Sequence, residues 1–190
     1  MSENRNIVLG VTGSIAAYKA AELVRLMKQR GWDVRVVMTE AATEFVGELT
    51  FQTLSQHPVA VRMFGTREEW VPEHVSLADS ADLTVIAPCT ANVLAKIANG
   101  MADDLLTCTV LASTAPLVIA PAMNVNMWEN PATRKNVEVL LERGVHIVDV
   151  GSGDLACGYQ GKGRMASLDA IMAEIESNLN SDPKGGIVES

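Results

Sequence analysis

Short apolar runs and longer amphipathic runs alternate along this chain. "NIVLGVTG" (6–13), "DVRVVMT" (33–39), "DLTVIAP" (82–88), "PLVIAP" (116–121) and "VHIVDV" (145–150) are brief and mostly apolar. Such runs fit strands buried on both faces. Between them, 14–31 carries a helical stripe closed by Gly31, and 40–56 carries a second that His57-Pro58 breaks. Helices are also predicted over 91–99, 103–112 and 167–180, with a turn or two at 73–81. Residues 130–144 read as a helix with Pro131 near its start and Gly144 after its end. Residues 59–72 predict a loop with a short strand, 151–165 a Gly-rich loop, and 181–190 a disordered tail.

This order predicts an α/β fold: a single Rossmann-like (flavodoxin-like) domain over residues 1–180. Its parallel sheet would have five to six strands, with helices on both faces. Ligands of such folds lie outside the carboxyl ends of the strands, near a switch in strand order. Four unusual stretches follow strands and so fall on that rim: "GVTGSIAA", "MTEAA", "APCTANV" and "PAMN".

Composition narrows the classes. The net charge of −8 and 15 scattered Lys and Arg argue against nucleic acid or an anionic membrane as partner. No apolar run reaches the roughly 18 residues of a membrane span. The polar start "MSENRN" is no signal peptide, so a cytoplasmic protein is expected. Cys89, Cys108 and Cys157 have no zinc spacing, so no metal site is expected. Cys108, within "LLTCTVLA", reads as a small core residue.

On the rim, Gly13 can take a positive φ and Ser14 can cap the helix that follows. The first amides of that helix suit a phosphate. The spacing Gly10-x-x-Gly13 is not GxGxxG, and a P-loop lysine motif is missing, so a mononucleotide fits better than a dinucleotide or triphosphate. An ordinary tight turn reads the same residues equally well. Thr90 and Asn92 offer side-chain donors and Thr39 a hydroxyl, though each alone reads as a helix cap. Loop 151–165 is long enough for a lid, and Cys157 lies in it between Ala156 and Gly158. His74, just before a rim strand, is the histidine to test as a base, although a lone His more often reads as a surface or capped residue; His57 shapes a turn and His146 sits in or beside the last strand. In the exit stretch "PAMNVNMWENP", Met123, Met127 and Trp128 read as core, whereas the Asn124 amide needs partners.

Taken together, "GSIAAYK", "HVSLADSADLTVIAPCTAN", "PAMNVNMW" and "ACGYQGKGRM" resemble the homo-oligomeric flavin-containing cysteine decarboxylases, over about residues 5–180. The resemblance implies FMN held by Gly13, Ser14 and Ile15, with Thr39, Thr90, Ala91, Asn92 and Ala122 also beside it. It implies His74 as base, Asn124 as ligand of the substrate carboxylate and Cys157 as proton donor. Met127, Ala156, Gly158 and Arg164 join Asn124 and Cys157 around the substrate, with 151–165 as a clamp. The implied reaction decarboxylates 4′-phosphopantothenoylcysteine oxidatively and reduces the enethiol to 4′-phosphopantetheine, a coenzyme A precursor. FMN takes the electrons from the thiol side and returns them.

The family's assemblies are trimers or dodecamers of trimers, so His74 would serve a neighbouring chain's flavin. Many bacterial relatives add a ligase domain that joins cysteine to phosphopantothenate. The chain is then either monofunctional, beside a separate phosphopantothenate–cysteine ligase, or a fragment. Cys89, in the flavin-proximal turn, is expected to be neutral packing. The rival readings are a peptide cysteine decarboxylase that stops at the enethiol, a regulatory flavoprotein on the same fold, and a nicotinamide dehydrogenase.

Overall fold

The computed structural model describes residues 5–63, 73–154 and 160–181. In chain order, β1 (Asn6–Val11), α1 (Ala17–Gln29), β2 (Asp33–Met38), α2 (Glu40–Thr43), α3 (Glu48–Ser55) and α4 (Glu73–Ser80) form the first half. They are followed by β3 (Leu83–Cys89), α5 (Ala91–Ala98), α6 (Leu105–Ala112), β4 (Leu117–Pro121), α7 (Val125–Glu129) and α8 (Pro131–Glu142). The chain then runs through β5 (His146–Ile147), β6 (Gly151–Asp154), β7 (Gln160–Arg164) and α9 (Leu168–Asn180). The five-stranded sheet has the order β2-β1-β3-β4-β5, parallel throughout. This is the flavodoxin-like order, and its switch point lies between β1 and β3.

The period of two along each strand divides the core. Ile7, Leu9 and Val11 of β1, with Val85 and Ala87 of β3, meet α1, α3 and α9 on one face. Val8 and Ile86 turn to the other face, where Leu94, Leu105 and Leu140 cover them. All seven residues of β3 are buried, which explains its unbroken apolar run.

Several expectations need correction. The stripe over 40–56 is two helices, because α2 ends after Thr43 and Gly47, in extended backbone, caps α3. Within 151–165, Gly151–Asp154 and Gln160–Arg164 pair as antiparallel strands, β6 with β7, and residues 155–159 lie outside the described residues. The glycines of these strands removed the apolar alternation by which strands are recognised. The exit from β4 holds a short helix, α7, because Asn124 caps it and Asn130 caps the next one. The fifth strand is only two residues long. Of the expected loop and strand at 59–72, Ala60 bridges to Val37; residues 64–72 lie outside the described residues, as do tail residues 182–190.

Candidate functional site

The rim at the switch point is fastened by Thr12. Its buried Oγ1 donates to the Pro88 carbonyl at 2.8 Å and accepts from the Thr90 N–H at 3.0 Å, joining the ends of β1 and β3. Gly13 follows, and its φ is not positive. Glycine is needed there for space, since a Cβ would stand 2.6 Å from that of Ala41. Ser14 is not the cap of α1, whose N-cap is Ala16. Its Oγ instead accepts from the Ala16 N–H at 3.3 Å within the turn that leads into α1. Thr90 caps α5, accepting from the Val93 N–H at 3.4 Å. Thr39, the residue before α2, makes no side-chain cap, and its buried Oγ1 has no hydrogen-bond partner.

Two cavities meet along this rim. The first, about 550 Å³, is lined by the expected residues Gly13, Ser14, Ile15, Thr90, Ala91, Ala122, Asn124, Met127 and Arg164. The second, about 750 Å³, takes Thr39 and Asn92 and shares Gly13, Thr90, Ala91 and Met127 with the first. Both volumes lie within the range of small-molecule sites. Sequence reading missed Tyr18 and Lys19 in the first cavity and Arg62, Lys96, Asp103 and Asp104 in the second. Lys19 lies in the first turn of α1, inside the stretch "GSIAAYK" already singled out.

Not every expected residue comes to these walls. His74, half-buried on α4, lines neither cavity. Ala156, Cys157 and Gly158 lie outside the described residues. His57 Nε2 pairs with Asp33 Oδ1 at 2.7 Å and His146 Nδ1 with Glu174 Oε1 at 3.1 Å. Cys89 is fully buried, and burial pushes its thiol well up, as packing requires. Cys108 is only half-buried, not core, and its thiol meets the Ala102 carbonyl at 3.2 Å.

The far wall of the first cavity joins the β4 exit to the hairpin. Asn124 is half-buried, and its Oδ1 accepts from the Asn126 N–H at 2.8 Å, capping α7. The chain thus supplies a partner for the amide that sequence reading left in need of one. Beneath it Trp128 is buried, with the Arg134 guanidinium 5.2 Å above its ring, while Met127 is 48% exposed towards both cavities. The Met123 N–H donates to the Gly163 carbonyl at 2.9 Å. Gly163 has φ +138°, and a Cβ on it would lie 2.5 Å from the Met123 oxygen. A Cβ on Gly161 would lie 2.7 Å from Val125 Cγ2. Hairpin and exit segment are therefore seated backbone to backbone.

In the second cavity Lys96 Nζ pairs with Asp103 at 2.7 Å and Asp104 at 3.0 Å. Burial pushes the Asp104 carboxyl up, but the Thr107 N–H, then Lys96, outweigh it and hold the carboxyl below its usual range. The Asp104–Thr107 capping box starts α6.

The model of the family described as Flavoprotein matches residues 1–180. The chain belongs to the flavoprotein family. It is 48% identical over 179 residues to the coenzyme A biosynthesis bifunctional protein CoaBC of Bacillus subtilis (strain 168), matching 94% of this chain and 44% of that protein. The chain thus spans less than half the length of the curated relatives it matches. Among solved structures, a cysteine-to-serine mutant of PPC decarboxylase complexed with pantothenoylaminoethenethiol aligns with TM-score 0.82 and 32% identity, covering 92% of this chain and 98% of that one. The FMN-dependent cysteine decarboxylase SpaF aligns with TM-score 0.78 and 34% identity, covering 94% and 96%. As a flavoprotein, the chain has a rim that fits a flavin mononucleotide. The Thr39 hydroxyl, without a hydrogen-bond partner among the described residues, and the apolar walls at Ala91 and Met127 suit a group with both polar and apolar surfaces.

Proposed function

We propose that this flavoprotein is an FMN-dependent decarboxylase of 4′-phosphopantothenoylcysteine, yielding 4′-phosphopantetheine for coenzyme A biosynthesis. The observation that carries the reading is the shared wall of the two cavities. That wall holds Gly13, Thr90, Ala91 and Met127, and Asn124 lines the first cavity with them, which supports a substrate carboxylate held beside a flavin. The likeness to PPC decarboxylase across 98% of that chain supports it.

FMN, held by Gly13, Ser14, Ile15, Thr39, Thr90, Ala91, Asn92 and Ala122, supplies a two-electron store that is filled and emptied within one turnover. The residues of the chain do the rest. Asn124, its Oδ1 fixed by the α7 cap, lines the first cavity and holds the substrate carboxylate aligned for departure. Met127, on the wall common to both cavities, shields the carbon that loses CO₂ from water. His74, on the α4 flank away from the cavities, takes the substrate proton at the site of an adjoining copy in a trimer or dodecamer. Cys157 returns a proton to the product carbon. Arg164, Ala156 and Gly158 complete the contacts to the substrate. The whole reaction removes CO₂ and nothing else. Ligation of cysteine to phosphopantothenate belongs to a fused domain or a separate ligase.

The likeness to SpaF favours a second reading, a peptide cysteine decarboxylase releasing the enethiol. Mass spectrometry of products separates the two. Phosphopantothenoylcysteine losing only CO₂ supports the proposal; loss of CO₂ and two hydrogens, or turnover of cysteine-ended peptides alone, overturns it.

A further inference from the structure

The two cavities differ in charge. Glu40, Asp103 and Asp104 line the second, with Arg62 and the ion-paired Lys96. The first has no acidic residue among its lining, yet Lys19 of α1 and Arg164 of β7 both face it. Neither has a carboxylate partner among the described residues. Burial, then the nearby charge of Arg164, hold the Lys19 ammonium below its ordinary range. Two like charges brought together, Lys19 half-buried and Arg164 exposed, repel until an anion joins them. Arg164 also sits beside Gly163, whose carbonyl is pinned to Met123, so its backbone is fixed relative to Asn124.

Their position along the cavity indicates which anion. The wall shared with the second cavity holds Gly13, Thr90, Ala91 and Met127, where the reacting cysteine end must meet the flavin. Lys19 and Arg164 line only the first cavity, as Asn124 does; with Asn124 taking the substrate carboxylate, the phosphate is the substrate anion left for this pair. We propose that Lys19 and Arg164 form the subsite for the phosphate at the remote end of the substrate, and so select phosphorylated over unphosphorylated pantothenoyl compounds. A dianion bridging two cations gains charge-assisted hydrogen bonds that the dephosphorylated compound cannot make. The inference rests on the decarboxylase reading for the identity of the substrate.

The test compares kcat/KM for phosphopantothenoylcysteine and pantothenoylcysteine in holoprotein carrying Lys19→Gln, Arg164→Gln or both. The expected result is a wild-type preference for the phosphorylated compound that shrinks about tenfold per substitution, through KM. Titration with FMN and riboflavin accompanies it, and the ratio of their affinities should not move. Equal losses for both substrates would overturn the proposal. So would a falling FMN-to-riboflavin ratio, which would put the cofactor's phosphate at this pair. Calorimetry of the holoprotein with 4′-phosphopantothenate against pantothenate keeps the subsite separable from the reaction. Tighter binding of the phosphate that depends on Lys19 upholds the pair even if no CO₂ is released. Equal binding of the two compounds refutes it.

Discussion

The two sides of the rim are built differently. The side proposed for the flavin rests on the ends of β1 and β3, held by one buried hydroxyl, Thr12, that serves both strands. The substrate side lies outside the sheet, where the capped α7 and the hairpin meet through glycines with no room for a side chain. The first owes its shape to the core, the second to a few local contacts. Damage on the substrate side should therefore leave cofactor affinity intact, and damage on the flavin side should act on the cofactor first.

The largest break in that comparison should come from Asn124→Asp. Asp caps a helix as well as Asn, so the melting temperature should hold. A carboxylate facing the substrate carboxylate should cut turnover about 10³-fold, with FMN affinity unchanged by fluorescence titration. Gly163→Ala comes next. A Cβ 2.5 Å from the Met123 oxygen, at φ +138°, must displace either the hairpin or Asn124. A shift of this kind should cost about 10²-fold in kcat, again with FMN retained. Loss of flavin in either variant would mean that the two sides are not separate.

On the side proposed for the flavin, Thr39→Val should weaken FMN about tenfold through one lost hydrogen bond. It should also leave the apoprotein equally or more stable by calorimetry, since the hydroxyl has no partner among the described residues. The smallest effect belongs to Asp104→Asn, which keeps the α6 cap and removes one charge from Lys96. The Asp104 carboxyl is held below its unfolded range, so its contribution is present above about pH 4 and fades as pH falls through the folded value. The variant should melt about 2 °C lower at pH 7, and the gap should close towards pH 3.

The sheet was legible because β1, β3 and β4 are buried on both faces and read as apolar runs. The rim residues were legible because a parallel order sends every strand exit to one edge. What escaped had physical reasons. Gly151–Asp154 and Gln160–Arg164 carry no apolar alternation, so β6 and β7 read as a loop. Gly13 suggested a positive φ, whereas the constraint is the neighbouring Ala41, a contact between distant segments. Asn124 was recognised as polar among apolar residues, but its cap depends on a helix of five residues, too short for periodicity to show. Lys19 stood inside a stretch already singled out. Its pairing with Arg164 needed two segments that only the fold brings together.

The most direct test strips flavin from the purified protein and follows CO₂ release from phosphopantothenoylcysteine before and after FMN is restored. The account predicts a colourless protein that releases none, and recovery of both the flavin absorbance and the activity in proportion to FMN bound. Undiminished CO₂ release from the stripped protein would contradict it.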